Sequence, residues 1–157
     1  MRAVTRLAAL SIATVFGVGY APAAPGTWGT IAAIPIYLLL STLETPLYFA
    51  VLGAIALAGV WAAKAAGEAF GEIDHRRIVI DEVTGYLLAM SLWTPSPAAV
   101  GTGFVLFRFF DIAKPFPAGL IDRRLKNALG VMLDDLVAGA YALAGVASLR
   151  YLFPAYF

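Results

Sequence analysis

Five apolar runs, Thr30 to Leu40, Leu47 to Ala63, Ile78 to Trp93, Ala98 to Phe110 and Val131 to Phe153, follow one another with only short clusters of proline, glycine and charge between them. They are continuous in Leu, Ala, Ile and Val and lack the two-residue alternation of a barrel strand. A backbone surrounded by hydrocarbon must satisfy its own hydrogen bonds, so runs of this kind fold as helices. Hydrophobic residues make up 61% of the chain and charged ones only 13%, with a mean hydropathy of +0.83, far from the averages of a soluble domain. The sequence therefore predicts an all-α integral membrane bundle of about five transmembrane helices. Its 157 residues suffice for one shared core, and no linker or shift in composition divides residues 1–157, so a single membrane-embedded domain is expected.

A shorter run, Leu7 to Gly19, stands behind Arg2 and Arg6 in the manner of a signal peptide. Cleavage is not expected, because the small residues after it lead through Gly26-Thr27-Trp28-Gly29 straight into the next apolar run. At about 1.5 Å per residue this run reaches about 20 Å, short of a hydrocarbon core of about 30 Å. A short re-entrant or interfacial N-terminal helix fits that length.

Lys64, Arg76 and Arg77 mark one connection and Lys114, Arg123, Arg124 and Lys126 another, whereas Ser41 to Pro46 and Thr94 to Pro97 carry no Lys or Arg. Basic connections stay in the cytoplasm, which with Arg2 and Arg6 inside leaves the C-terminus outside; Arg150 runs mildly against that placement. A net charge of +1 gives no reason to expect a nucleic-acid partner; the bilayer and its lipids are the expected ones. The absence of cysteine excludes disulfides, thiolate metal sites and cysteine nucleophiles.

On this topology three acidic clusters, Asp81-Glu82, Asp111 and Asp134-Asp135, converge on one membrane face. A carboxylate at a helix centre costs roughly 2.5 to 3.5 kcal/mol on insertion scales, and somewhat less near the surface. Five together need a compensating cation, and a bound divalent metal would supply one.

Each cluster also has a structural explanation. Asp81 and Glu82 could be acids that complement a helix N-terminus, worth about 0.3 to 1 kcal/mol. Asp134 and Asp135 follow Val131, Met132 and Leu133, which pushes them into an apolar run and favours function. Arg108, Asp111 and Lys114 step by three residues and so share a helix face, ended by Pro115 and Pro117. That face reads either as a salt-bridged terminus or as a metal ligand flanked by two phosphate-binding bases. Gly26-Thr27-Trp28-Gly29-Thr30 is a plausible anion loop, with Thr27 capping a helix, or a simple interhelical turn. His75, the only histidine, sits beside Asp74, Arg76 and Arg77 and reads as a solvated loop residue.

Four passages, GYAPAAPGTWGT (Gly19 to Thr30), DHRRIVIDEVTGYLLAM (Asp74 to Met90), FRFFDIAKPFP (Phe107 to Pro117) and GVMLDDLVAG (Gly130 to Gly139), together resemble the phosphatidylglycerophosphatase A family over most of the chain. The resemblance implies a magnesium-dependent phosphatase of the bacterial inner membrane that converts phosphatidylglycerophosphate to phosphatidylglycerol and phosphate. It carries a catalytic role to Asp81, Glu82, Asp111, Lys114, Asp134 and Asp135. Two departures are Asn127-Ala128, where a more glycine-rich approach is usual, and Thr30 in place of a common Ser.

The residue inventory points the same way, since there is no cysteine, one histidine and no DxDxT sequence, which leaves metal-assisted attack by water. In that scheme Asp81, Glu82, Asp111, Asp134 and Asp135 hold one or two Mg²⁺ ions. Arg108 and Lys114 hold the phosphoryl oxygens, together with Gly26, Thr27 and Thr30 at the anion loop. The apolar helices seat the acyl chains, and the active site faces the cytoplasm. Two other functions fit intramembrane acids, a small transporter or channel and a structural subunit whose charges merely pair.

Overall fold

The computed structural model describes residues 3–154, and Arg2 lies outside them. Seven α-helices form, and no strand is present among the described residues. They are α1 (Ala3–Ala13), α2 (Pro25–Leu40), α3 (Thr45–Phe70), α4 (Ile80–Met90), α5 (Pro97–Ala113), α6 (Ala118–Arg124) and α7 (Ala128–Leu152), with a 3-10 turn at Val18–Tyr20 between the first two.

Local chemistry sets most of these limits. Proline stands in the first turn of α2, α3 and α5, where its missing N–H costs nothing. Ser96 caps α5 by accepting from the Ala99 N–H at 3.0 Å, and Asn127 caps α7 by accepting from the Gly130 N–H at 2.9 Å. Asn127 thus does by capping what a glycine-rich approach would do by flexibility. α3 ends at Gly71, whose φ of 78° suits a residue without a Cβ.

Two helices, α3 with 26 residues and α7 with 25, are long and apolar enough to cross a membrane. At 1.5 Å per residue they reach about 39 and 37 Å against a hydrocarbon core of about 30 Å. α4 has only 11 residues, nine of them buried, and is wrapped by α2, α3, α5 and α7. Its apolar run is the core of the bundle, whereas the outward faces of its neighbours expose large apolar side chains such as Leu57 (75%) and Val105 (63%).

Contacts along α4 fix how its neighbours run. The Tyr48 hydroxyl, at the start of α3, donates to the Leu87 carbonyl at 2.7 Å, and the Tyr37 hydroxyl, late in α2, donates to the Trp93 carbonyl at 2.8 Å. Those ends gather at one pole, which we call far. The opposite, near pole collects the starts of α2, α4 and α7 and the ends of α3 and α5. There the Val79 N–H bonds to the Ala13 carbonyl at 2.9 Å, and Arg6 adjoins Glu68 and Ala69, so α1 stays beside the last turns of α3.

The structure revises several expectations. The run Leu7 to Gly19 breaks at Thr14, because Val15 and Phe16 take positive φ values of 48° and 52° before the 3-10 turn. Lys64 belongs to α3, which continues to Phe70, and so is not part of a connection. Gly26 to Thr30 is the first stretch of α2, not a loop. α6 forms between the proline pair and α7, where only a basic connection was expected.

α4 and α7 approach each other through glycines. A Cβ on Gly139 would meet the Gly85 carbonyl, and a Cβ on Gly85 would meet the Phe107 ring and lie 2.7 Å from the Asp135 carbonyl. Overpacking typically costs about 1–3 kcal/mol, and a backbone carbonyl cannot swing aside. Gly139→Val is therefore expected to cost at least about 3 kcal/mol of stability, read as a fall in the thermal unfolding midpoint in detergent. Gly53→Ala, with nothing within 4 Å of the added methyl, should leave the midpoint unchanged or raise it.

Candidate active site

The parallel, close-packed starts of α4 and α7 put Asp81 and Glu82 against Asp134 and Asp135. The last turn of α5 adds Arg108 and Asp111, and Lys114 follows in a left-handed conformation with φ 43°. All seven side chains line one cavity of about 270 Å³ at the near pole. The distant acids of the sequence thus meet in a single place, at one end of the bundle.

Their partners divide the carboxylates into two sets. Asp111 is neutralised by Arg108, whose Nη1 lies 2.5 Å from its Oδ2 and 3.7 Å from Glu82 Oε1. Asp134 bonds to the Lys114 ammonium, which also donates to Asp122 Oδ1 at 3.0 Å. Asp81 and Asp135 have no basic partner among the described residues and Glu82 has only the more distant Arg108, with one oxygen from each of the three falling within 4.8 Å of the others. Two cations face five carboxylates, and an unneutralised buried charge costs several kcal/mol even after relaxation.

Four oxygens show where compensation is lacking. Asp81 Oδ1, Glu82 Oε2, Asp134 Oδ1 and Asp135 Oδ2 are buried and have no hydrogen-bond partner. Hard anionic oxygens converging in this way suit a small divalent cation such as Mg²⁺, and the donor set therefore fits the metal expected from the sequence.

Gly26 reaches this site from α2. A Cβ there would collide with Glu82 Oε1 and lie 3.2 Å from Arg108 Nη1, so glycine lets the start of α2 lie against the pair without displacing the Glu82 carboxylate. The other two members of the expected anion loop are placed differently. Thr30 is fully buried and spends its hydroxyl on the Gly26 carbonyl at 3.0 Å, so it braces the turn and has no proton to offer a phosphate. Thr27 is not the cap of α2: that position is Ala24, in a left-handed conformation without a side-chain bond, and the Thr27 N–H bonds back to the Ala24 carbonyl at 2.9 Å.

Two acids join the site that sequence reasoning left out. Asp74, in the connection after α3, lines the cavity, although in sequence it is one of several charges in a basic stretch. Asp122, on the unforeseen α6, grips Lys114, whose ammonium holds the Asp122 carboxyl below its usual range against the opposing effect of burial. Burial also works against the charge of Lys114, yet its bonds to Asp134 and Asp122 raise its pKa above the ordinary lysine value. His75 lies apart, its ring 4.6 Å from that of Phe70 and its Nδ1 accepting from the Arg77 N–H at 3.2 Å.

The family model for phosphatidylglycerophosphatase A matches residues 11–150, a span that contains every residue of the cavity. The chain belongs to that family. Phosphatidylglycerophosphatase A of Escherichia coli is 38% identical over 136 residues, covering 86% of this chain and 78% of that protein. The Haemophilus influenzae protein of the same name is 35% identical over 142 residues, covering 89% and 87%. A Bacteroides thetaiotaomicron protein, named as a candidate phosphatidylinositol-3-phosphatase, is 36% identical over 155 residues, covering 90% and 92%. No solved structure matches the chain.

The imbalance of charge generates a stability test. With divalent metal chelated, Glu82→Gln removes a buried charge at little change in shape and should raise stability by about 1–3 kcal/mol. Lys114→Met leaves Asp134 without its partner and should lower stability by a similar amount. Thermal unfolding of the purified variants in detergent reads both, and opposite signs are the expected result.

Proposed function

We propose that the chain is a Mg²⁺-dependent lipid phosphatase that hydrolyses phosphatidylglycerophosphate to phosphatidylglycerol and inorganic phosphate. The observation that carries this reading is the set of orphaned carboxylate oxygens from Asp81, Glu82, Asp134 and Asp135, gathered beside two fixed cations at one pole of a largely apolar bundle. Family membership and the names of the relatives supply the substrate class.

Asp81, Glu82 and Asp135 are the residues best placed to hold the ion, with Asp134 adding an oxygen that Lys114 does not occupy. Mg²⁺ bound there supplies positive charge against the phosphoryl oxygens and makes water more acidic. The chain's own residues do the rest. Lys114 and Arg108 are pre-oriented by Asp134, Asp122 and Asp111, so their charge is already aimed when a phosphate monoester arrives. Gly26 lets the start of α2 lie against Glu82 and Arg108, which keeps both side chains turned to the cavity they line. A carboxylate not engaged with the metal accepts the proton released as water attacks phosphorus; the P–O bond to glycerol breaks with its electron pair going to the glycerol oxygen, which takes up that proton and leaves as the alcohol while inorganic phosphate remains.

The exposed apolar faces and the lengths of α3 and α7 support a membrane setting. In this reading α2, α4 and α5 complete five passages between the poles, α4 with only 11 residues being too short to span hydrocarbon by itself and sheltered inside the bundle by its neighbours. The near pole carries Arg76, Arg77, Lys114, Arg123, Arg124 and Lys126 on its connections, which supports a cytoplasmic active site at the inner membrane of a bacterium.

Purified protein in detergent micelles should release phosphate from phosphatidylglycerophosphate with Mg²⁺ and lose that activity with a chelator. Asp135→Asn should lower kcat at least about 100-fold while preserving the thermal unfolding midpoint. Undiminished turnover in chelator would overturn the metal reading. Phosphatidic acid and phosphatidylinositol 3-phosphate in the same assay measure selectivity, and faster turnover of either would replace the proposed substrate.

A further inference from the structure

Asp74 stands in the wall of the carboxylate cavity, and no ion pair engages it among the described residues. An acid followed by His75, Arg76 and Arg77 would be expected to find a basic partner at once. Both arginines are engaged elsewhere. Arg76 donates to the Pro22 carbonyl at 3.1 Å, and the Arg77 guanidinium lies 4.9 Å from the centre of the Tyr20 ring and 5.7 Å from that of Phe70. A basic stretch of the chain thus delivers an unneutralised carboxylate to the site.

The connection that carries Asp74 is fastened on both sides of it. Before it, the Gly71 and Glu72 N–H groups both bond to the Gly67 carbonyl, at 2.9 and 3.1 Å. A Cβ on Gly67 would lie 3.1 Å from the Ile73 Cα, so glycine there lets the chain turn back against α3. After it, His75 packs its ring on Phe70, accepts from the Arg77 N–H at Nδ1, and accepts from the Ile78 N–H at its carbonyl at 2.7 Å. Between these two anchorages Asp74 is exposed to water and still lines the cavity.

The other acids of the cavity are already committed. Asp111 is paired with Arg108 and Asp134 with Lys114, while Asp81, Glu82 and Asp135 converge as a group suited to an ion. Asp74 is the remaining carboxylate in the wall. A sphere of about 270 Å³ is about 8 Å across, so a water molecule inside is within reach of Asp74 directly or through one other water, the range over which a general base works.

We infer that Asp74 is the carboxylate that takes the proton from the attacking water. The inference rests on the phosphatase reading and assigns its general base. As the water oxygen bonds to phosphorus, its proton passes to an Asp74 oxygen. The P–O bond to glycerol breaks with its electron pair on the glycerol oxygen, and the proton held by Asp74 reaches that oxygen through solvent water, which restores the carboxylate. Exposure suits Asp74 to this exchange, whereas the buried acids are shut away from bulk water.

Asp74→Asn keeps the shape of an exposed side chain and should fold as the wild type does. It should lower kcat for phosphatidylglycerophosphate at least about 100-fold and leave KM within about threefold. The Mg²⁺ concentration that gives half of the metal-induced rise in thermal unfolding midpoint should be unchanged in Asp74→Asn. In Asp135→Asn that concentration should rise at least about tenfold. A smaller loss of kcat in Asp74→Asn, or a loss carried by KM, would overturn the inference. So would a raised Mg²⁺ requirement in Asp74→Asn, which would make Asp74 a metal ligand. Wild-type protein that releases no phosphate from any lipid phosphomonoester would remove the phosphatase reading itself, whereas an active wild type with an equally active Asp74→Asn would remove the assignment of the base alone.

Discussion

The contact of α4 with α7 through Gly85 and Gly139 governs the rest of the structure. Neither glycine could carry a Cβ without striking backbone on the other helix, and the two helices run parallel from that contact to their starts. Without a hydrophobic drive between helices in lipid, small residues that let backbones meet are what make association tight. One turn before the contact, that tightness confronts Asp81 and Glu82 with Asp134 and Asp135. The packing and the chemistry are therefore set by one feature: a looser crossing would relieve the carboxylates and dismantle the site together.

Electrostatics explains why the site stands at the pole of the bundle and not at its middle. The cavity brings more acids than Arg108 and Lys114 neutralise, and every step deeper into hydrocarbon raises the cost. At the near pole the two bases reach their partners from the end of α5 and from the turn after it, while Asp122 on α6 holds Lys114 from outside. The far pole is stabilised by a different chemistry, in which buried tyrosine hydroxyls close on the Leu87 and Trp93 carbonyls. At the far pole the buried group left without a partner is the neutral Trp93 indole N–H, under the Arg150 guanidinium, whereas at the near pole it is a set of carboxylate oxygens.

What the chain revealed in one dimension, and what it withheld, follow from the range of the forces involved. The helical class and the convergence of the acids were legible, because apolar continuity and the alternation of near and far connections are properties of order along the chain. The brevity of α4 was not. A helix buried by neighbours on every side and one bathed in lipid have the same apolar composition, and only packing tells Ile80–Met90 from a full crossing. Asp74 and Asp122 escaped for a related reason, since each lies in a basic stretch and becomes part of the site only when the connection after α3 and α6 fold back on it. The capping role expected of Thr27 and the free hydroxyl expected of Thr30 do not appear, because a hydroxyl in a glycine-rich stretch looks the same whether it caps a helix, faces a ligand or, as Thr30 does, bonds the preceding turn.

A lipid phosphatase faces a geometric problem that a soluble one does not, because its substrate's reacting group is tethered to chains that remain in the membrane. In the membrane setting proposed above, building the carboxylate cavity at helix ends puts it at headgroup depth, where Arg108 and Lys114 can meet the terminal phosphate while the acyl chains stay in the leaflet.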